Sequence, residues 1–247
     1  MEKAIILAAG RGSRMGVATA EKPKCFVELW GRKLIDWQVL ALTAAGITDI
    51  AIVTGYKADA LSDLGFVTFY NGRWSDTNMV SSLACASSWL TAGNCIVSYS
   101  DIYYDSRAVA SLLSYPNDIA LTFDPDWLEM WQARFVDPLS DAESFRYDEN
   151  GFLTEIGKLM DSTESIQGQY MGLLRFTPNG WNEIERVRAD LTQDERDKMH
   201  MTAALQRVVD AGRMRISTVP IEGTWFEIDS QSDLEIFNRY RENNQKD

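Results

Sequence analysis

The chain has 247 residues, 45% of them hydrophobic, and a formal charge of −12 at pH 7; it holds three cysteines and one histidine. That length buries roughly 70% of the unfolded surface without staples, and Cys25, Cys85 and Cys95, odd in number and lacking a C-x-x-C spacing, exclude a disulfide framework or zinc ribbon. The acidic balance excludes a duplex nucleic acid as partner, and with neither a run of ~18 apolar residues nor a basic-then-apolar leader the expectation is a cytoplasmic protein with no membrane contact.

The first predicted strand is the apolar run 4–7, and LAAGRGSRMG follows from Leu7 to Gly16. Gly10 and Gly12 let the backbone of this loop approach a ligand and aim amides at anionic oxygens. The dinucleotide fingerprint G-x-G-x-x-G needs glycine at 15, where Met15 stands, and the Walker pattern has no match. Residues 1–35 nevertheless carry seven cations against three carboxylates, a net +4 beside −16 for the remainder. This predicts a local anion site in an acidic protein.

Helical patterns at 34–45, 58–64, 77–91 and 106–114 alternate with strand-like runs at 50–54, 66–69, 95–99 and 119–123. Near-continuous apolar strands joined by helices predict an α/β fold: a Rossmann-like, mostly parallel central sheet flanked by helices. After 125 the rhythm changes, and Asn150-Gly151 between alternating apolar positions of 145–153 predicts a hairpin. Helices at 179–189 and 199–211, strands at 214–219 and 224–228, and a closing helix at 231–242 complete the reading. With no repeat or linker, residues 1–247 form a single domain, with a nucleotide-binding half to about 124 and a smaller, antiparallel acceptor-binding lobe beyond.

The pattern L-A-A-G-x-G-x-R-M at 7–15, followed by Glu21-Lys22-Pro23-Lys24, resembles the nucleotidyltransferase superfamily, which joins nucleoside triphosphates to sugar phosphates or phosphocholine-like acceptors. Four further segments, IVTGYKAD (52–59), YNGRWSDTNMVSSL (70–83), GQYMGLLRFTP (168–178) and WFEIDSQSDL (225–234), resemble its CTP-using branch of phosphocholine cytidylyltransferase-like proteins. That branch includes enzymes that activate aminophosphonates and phosphorylated amino acids. The resemblance spans nearly the whole chain and implies a nucleotide-diphospho-sugar transferase-like fold.

The same resemblance implies site residues. Arg14 would hold the β- and γ-phosphates, with a fork that lysine lacks, and Lys24 would sit on the α-phosphate; Lys22 is the weaker candidate. Asp101, at the carboxyl end of the strand 95–99 where open sheets place ligands, and Asp229 would bind Mg2+. Asp229 could instead cap the helix that begins near Ser230. Backbone at Leu7, Ala8 and Ala9, with the side chain of Asn78, would meet the base, although Asn78 reads equally well as a helix cap.

On the acceptor side, Trp127 and Trp131 share a face if 127–131 is helical, as core or as an aromatic wall beside Asp126 and Glu129. Lys158, Tyr170 and Glu227 are the other acceptor candidates. Gly172 marks a close approach or a bulge. The lone His200 excludes a histidine-based triad or zinc site and is read as structural or peripheral.

The expected reaction is Mg2+-dependent transfer of CMP from CTP to a small cationic phosphate or phosphonate, with release of pyrophosphate. Alternatives are a sugar-1-phosphate nucleotidyltransferase using UTP or dTTP, and a nucleotide sensor without catalysis. The oligomeric state stays open, with a homodimer as one option.

Overall fold

The computed structural model describes residues 2–221 and 223–244. The chain runs β1 (Lys3–Ala8), β2 (Glu28–Leu29), β3 (Arg32–Lys33), α1 (Leu34–Ala44), β4 (Ile50–Thr54), α2 (Ala58–Ser62) and β5 (Val67–Tyr70). It continues through α3 (Met79–Ala84), α4 (Ser87–Leu90), β6 (Cys95–Tyr99), β7 (Ile102–Tyr104), α5 (Ser106–Leu113), β8 (Ile119–Asp124) and α6 (Trp127–Arg134). The remainder is β9 (Glu143–Tyr147), β10 (Leu153–Leu159), β11 (Gln169–Phe176), α7 (Pro178–Arg188), α8 (Gln193–Lys198), α9 (Met201–Ala211), β12 (Ile216–Pro220), β13 (Trp225–Glu227) and α10 (Gln231–Asn244).

Seven strands form one sheet in the order β12-β8-β11-β6-β1-β4-β5. All its pairings are parallel except the two made by β11. β4 and β8 are buried along their whole length, as a sheet covered on both faces requires; β5, at the edge, keeps exposed residues. From β1 the chain steps out to β4 and β5, then jumps back across β1 to β6. The carboxyl ends of β1 and β6 therefore flank the switch point at which such sheets open a crevice.

The predicted antiparallel region is present as the β9–β10 hairpin, turning at Asn150-Gly151 with Gly151 at φ +76°. The second half of the chain also extends the central sheet, because β11 inserts between β6 and β8 and β12 adds beyond β8. The helix expected over 77–91 is broken: Cys85 and Ala86 separate α3 from α4, and the Ser87 hydroxyl closes α3 by donating to the Ala84 carbonyl at 2.8 Å. Among the described residues no helix is long and apolar enough to cross a membrane.

One small ladder and one buried side chain bring remote segments together. β13 pairs antiparallel with β7, placing Glu227 opposite Ile102, and the Ile228 amide donates to the Asp101 carbonyl at 2.9 Å. Asp101, just before β7, thus lies beside Asp229, just after β13. From α1 the buried Gln38 donates both amide hydrogens, to the carbonyls of Tyr99 (2.9 Å) and Ile102 (2.7 Å), and so brackets the Asp101 turn from below.

Candidate active site

The loop after β1 is bent by Gly12 at φ +66°, whose carbonyl accepts from the Met15 amide (3.1 Å) and the Thr19 hydroxyl (3.0 Å). A Cβ on Gly12 would lie 2.6 Å from Cδ of Lys24, so glycine is required here twice over: for the backbone angle and for the lysine stem lying against it. Substituting Gly12→Ala is expected to lower kcat about 100-fold by displacing that stem by about an ångström, with a destabilisation of roughly 1–2 kcal/mol. Steady-state kinetics and a thermal melt check both, and a variant with wild-type kcat would refute the assignment.

Lys24, 7% exposed, is the centre of the site. Its ammonium donates to Asp101 Oδ2 at 2.7 Å and to Asp229 Oδ1 at 2.5 Å, while Arg14 Nη2 lies 3.0 Å from the same Asp229 oxygen. Burial pulls the lysine pKa down, but the two aspartates more than offset this and leave it above the usual value. Two carboxylates more than 120 residues apart in sequence therefore share one cation, with Arg14 reaching in from solvent.

The helix-cap reading of Asp229 is not what the structure contains. Ser230 Oγ accepts from the Asp233 amide, and Asp233 Oδ2 accepts from the amides of Ser230 (2.8 Å) and Asp229 (2.9 Å). That reciprocal box closes the start of α10, and the Asp229 carboxylate is left to face Lys24 and Arg14.

A hollow of about 290 Å³ lies above this cluster, walled by Leu7, Ala9, Gly10 and Gly12 on one side and by Asn78 and Asp101 on the other. Ala8 alternates into the core, 3% exposed, and is not part of the wall. Asn78 is both cap and wall: its Oδ1 accepts from the Met79 amide at 2.8 Å, while Nδ2 lies 3.0 Å from His200 Nε2. Lys22 is exposed and does not line this hollow.

A second hollow, about 230 Å³, adjoins the first and shares Arg14, Met79 and Tyr99 with it. Trp131, Tyr170 and Glu227 line it as expected, with Asp141, Glu143 and His200. Trp127 and Trp131 do share a face of α6, edge to face at 5.8 Å and both 3% exposed, so they are mainly core. Gly172 combines both of its readings: at φ +78° it sits in a register shift of β11, and a Cβ there would lie 2.7 Å from the Tyr99 ring. Burial raises the Glu143 carboxyl pKa, against the pull of Thr202 and His200.

Lys158 is a correction. Strand alternation would place it beside Ile156, which does line the second hollow, but Gly157 at φ +85° sits in a register shift between Ile156 and Leu159. Lys158 turns outward to pair with Glu155 at 2.5 Å and is 58% exposed. Asp126 and Glu129 likewise face a different hollow, beside Met130 and Phe237.

Arg134, at the end of α6, joins this cluster although the sequence did not mark it as a candidate. Its side chain is fully buried, 3.1 Å from Glu227, 3.6 Å from Asp229 and 3.0 Å from Asp233. Burial and the Asp229 charge push the Glu227 carboxyl up to about 7, against the pull of Arg134.

Residues 4–144 match the family described as the MobA-like NTP transferase domain. CTP:phosphoglutamine cytidylyltransferase of Campylobacter jejuni subsp. jejuni serotype O:2 is 36% identical, over 94% of this chain and 98% of that one. The 2-aminoethylphosphonate cytidylyltransferase of Lancefieldella rimae is 31% identical over 40% of this chain and 42% of its own. In fold, the solved structure of CTP:phosphocholine cytidylyltransferase from Streptococcus pneumoniae superposes with a TM-score of 0.72 at 20% identity, covering 97% of this chain and 99% of that one.

Proposed function

The chain belongs to the MobA-like NTP transferase family and is a nucleotidyltransferase of its cytidylyltransferase branch, and from that premise we propose that it transfers CMP from CTP to a small phosphate or phosphonate monoester bearing a cationic group. The observation that supports this most directly is the convergence of Arg14, Lys24, Asp101 and Asp229 beneath the glycine loop, where the two hollows meet. Triphosphate fits the first hollow; an acceptor fits the second, whose carboxylates favour a cation.

In the reaction, an acceptor oxygen attacks the α-phosphorus of CTP, the bond from that phosphorus to the bridging oxygen of the β-phosphate breaks, and pyrophosphate leaves with the electron pair. A phosphate or phosphonate dianion is already ionised near neutral pH, so the chain needs no general base, in keeping with its single histidine. What the chain must supply is fixed positive charge against the oxygens that become more negative. Lys24 is held at the carboxyl ends of β1 and β6 for the α-phosphate, and Arg14, with one side free to solvent, for the departing pyrophosphate.

The donors also suit a magnesium ion. Asp101 and Asp229 are two carboxylates, and Asp101 Oδ1 is buried without a hydrogen-bond partner. Magnesium commonly takes only one or two protein carboxylates and fills its octahedron with phosphate oxygens and water. Among the described residues no group of three or more His, Cys, Asp or Glu able to hold a metal forms, so substrate oxygens and water would have to complete the shell. When bound there, the ion would neutralise phosphate charge.

The test is pyrophosphate release from each of CTP, UTP, dTTP and GTP with phosphocholine, phosphoethanolamine, aminoethylphosphonate, a phosphorylated amino acid and glucose-1-phosphate. CTP with an amine-bearing acceptor is the expected pair, and a chelator should abolish release until Mg2+ is restored. Preference for UTP or dTTP with the sugar phosphate would replace this reading, and silence with every pair would leave a nucleotide-binding protein.

A further inference from the structure

The second hollow carries a finer selection than charge alone. Resting on the acceptor assignment above, we propose that this hollow selects a primary ammonium, with N–H groups to donate, and discriminates against a quaternary trimethylammonium.

A trimethylammonium group has no N–H and is bound chiefly over the open faces of aromatic rings. Three aromatic residues line the hollow, Tyr99, Trp131 and Tyr170, and two are committed within the protein. Trp131 is 3% exposed, has the Arg134 guanidinium 5.2 Å from its ring centre, and ties its Nε1 to Asp141 Oδ2 at 3.2 Å. Tyr99 has the Gly172 backbone against its ring and meets Tyr170 edge to face at 5.8 Å. Its hydroxyl donates to Met79 Sδ at 2.6 Å. Edge-to-face and tilted contacts thus hold Trp131 and Tyr99 against their own neighbours and leave them little open face to offer.

Hydrogen-bond acceptors, by contrast, stand ready. The buried Tyr170 hydroxyl turns its hydrogen to the Tyr99 oxygen, which leaves its own oxygen able to accept. Glu143 faces the same space, with the Asp141 carboxylate beside it. An ammonium with three N–H groups can donate to that hydroxyl oxygen and to the carboxylates together. Three methyl groups in its place would leave those polar atoms buried and unpaired, the situation in which a site rejects an analogue most strongly.

Phosphoethanolamine and phosphocholine differ only in those three methyl groups and isolate the question. With CTP and Mg2+, kcat/KM for phosphoethanolamine is expected to exceed that for phosphocholine by about tenfold or more, and Glu143→Gln should shrink that ratio towards one. Isothermal titration of the same two compounds into the full chain, with CTP and Ca2+ to hold back turnover, gives a ratio that does not depend on activity and should agree. Equal or better use or binding of phosphocholine overturns the proposal, as does binding of neither. Release of no pyrophosphate with any acceptor would instead overturn the assigned reaction, while the titration ratio still decides the ammonium class.

Discussion

Replacing Lys24 with methionine is expected to reduce kcat by roughly 100- to 1,000-fold and, in the absence of metal, to lower the melting temperature by about 5 °C. The side chain keeps its length, so the stem still fits against Gly12 and only the charge is lost. The rate falls because the fixed cation at the floor of the hollow is gone. Stability falls because Asp101 and Asp229 lose the ammonium that they share at 2.7 and 2.5 Å, and a buried charge left short of a partner costs roughly 1–3 kcal/mol.

The sign with pH follows from the raised lysine pKa: its contribution is complete below the ordinary value of 10.5 and is lost only as pH climbs through the higher folded-state value. The variant should therefore show the same deficit at pH 6 and pH 8. Added Mg2+ should raise the melting temperature of the variant more than that of the wild type, since two under-neutralised carboxylates bind a divalent cation more strongly. A variant with kcat within about tenfold of wild type, or a melt indifferent to Mg2+, would remove Lys24 from the catalytic position.

The amino-terminal site was legible because its signal is local. An apolar strand, two glycines and cations at 14 and 24 lie within one stretch, and the strand register then carries them to the mouth of the switch point. Asp101 was legible for the same reason, following directly on an apolar strand. Lys158, a candidate through the resemblance alone, does not reach the second hollow because Gly157 at φ +85° sits in a register shift that turns the lysine outward. β11 escaped as an element because its glycine and polar residues dilute the apolar run, although it lies between two strands of the central sheet. β2 and β3 turn through Trp30 and Gly31, both at positive φ. Tryptophan is held in that unusual conformation by rings of Trp37, Tyr103 and Phe226 from distant elements, none of which a short window contains.

Arg134 was hidden by a different cause, and its expected effect is the largest on stability. At the sequence level it is one cation in the last turn of an amphipathic stretch, indistinguishable from a solvated helix end. Its importance comes from α10 and β13, about 100 residues later, which bring Glu227, Asp229 and Asp233 around a guanidinium with no solvent exposure. Removing one side of such a buried group costs roughly 3–5 kcal/mol, so Arg134→Met should lower the melting temperature by about 10 °C. Arg134→Lys should recover only part of this, because an ammonium cannot reproduce the fork that spans three carboxylates.

Acid should reduce the difference between wild type and Arg134→Met. Although burial opposes it, Arg134 holds the Asp233 carboxyl below its ordinary pKa, so the wild type loses that contribution as pH falls through the folded value. Glu227, already at about 7 through burial and the Asp229 charge, rises further once the guanidinium is gone and is relieved by protonation. The Glu227 effect falls across neutral pH, so the gap in melting temperature should narrow from pH 7.5 to pH 5.5, while the Asp233 effect adds to this only in stronger acid, below the ordinary value of 3.8. A gap that stays constant or widens over that range would mean that Arg134 acts through packing against Trp131 and Phe135, and not through the carboxylates that it joins to the site.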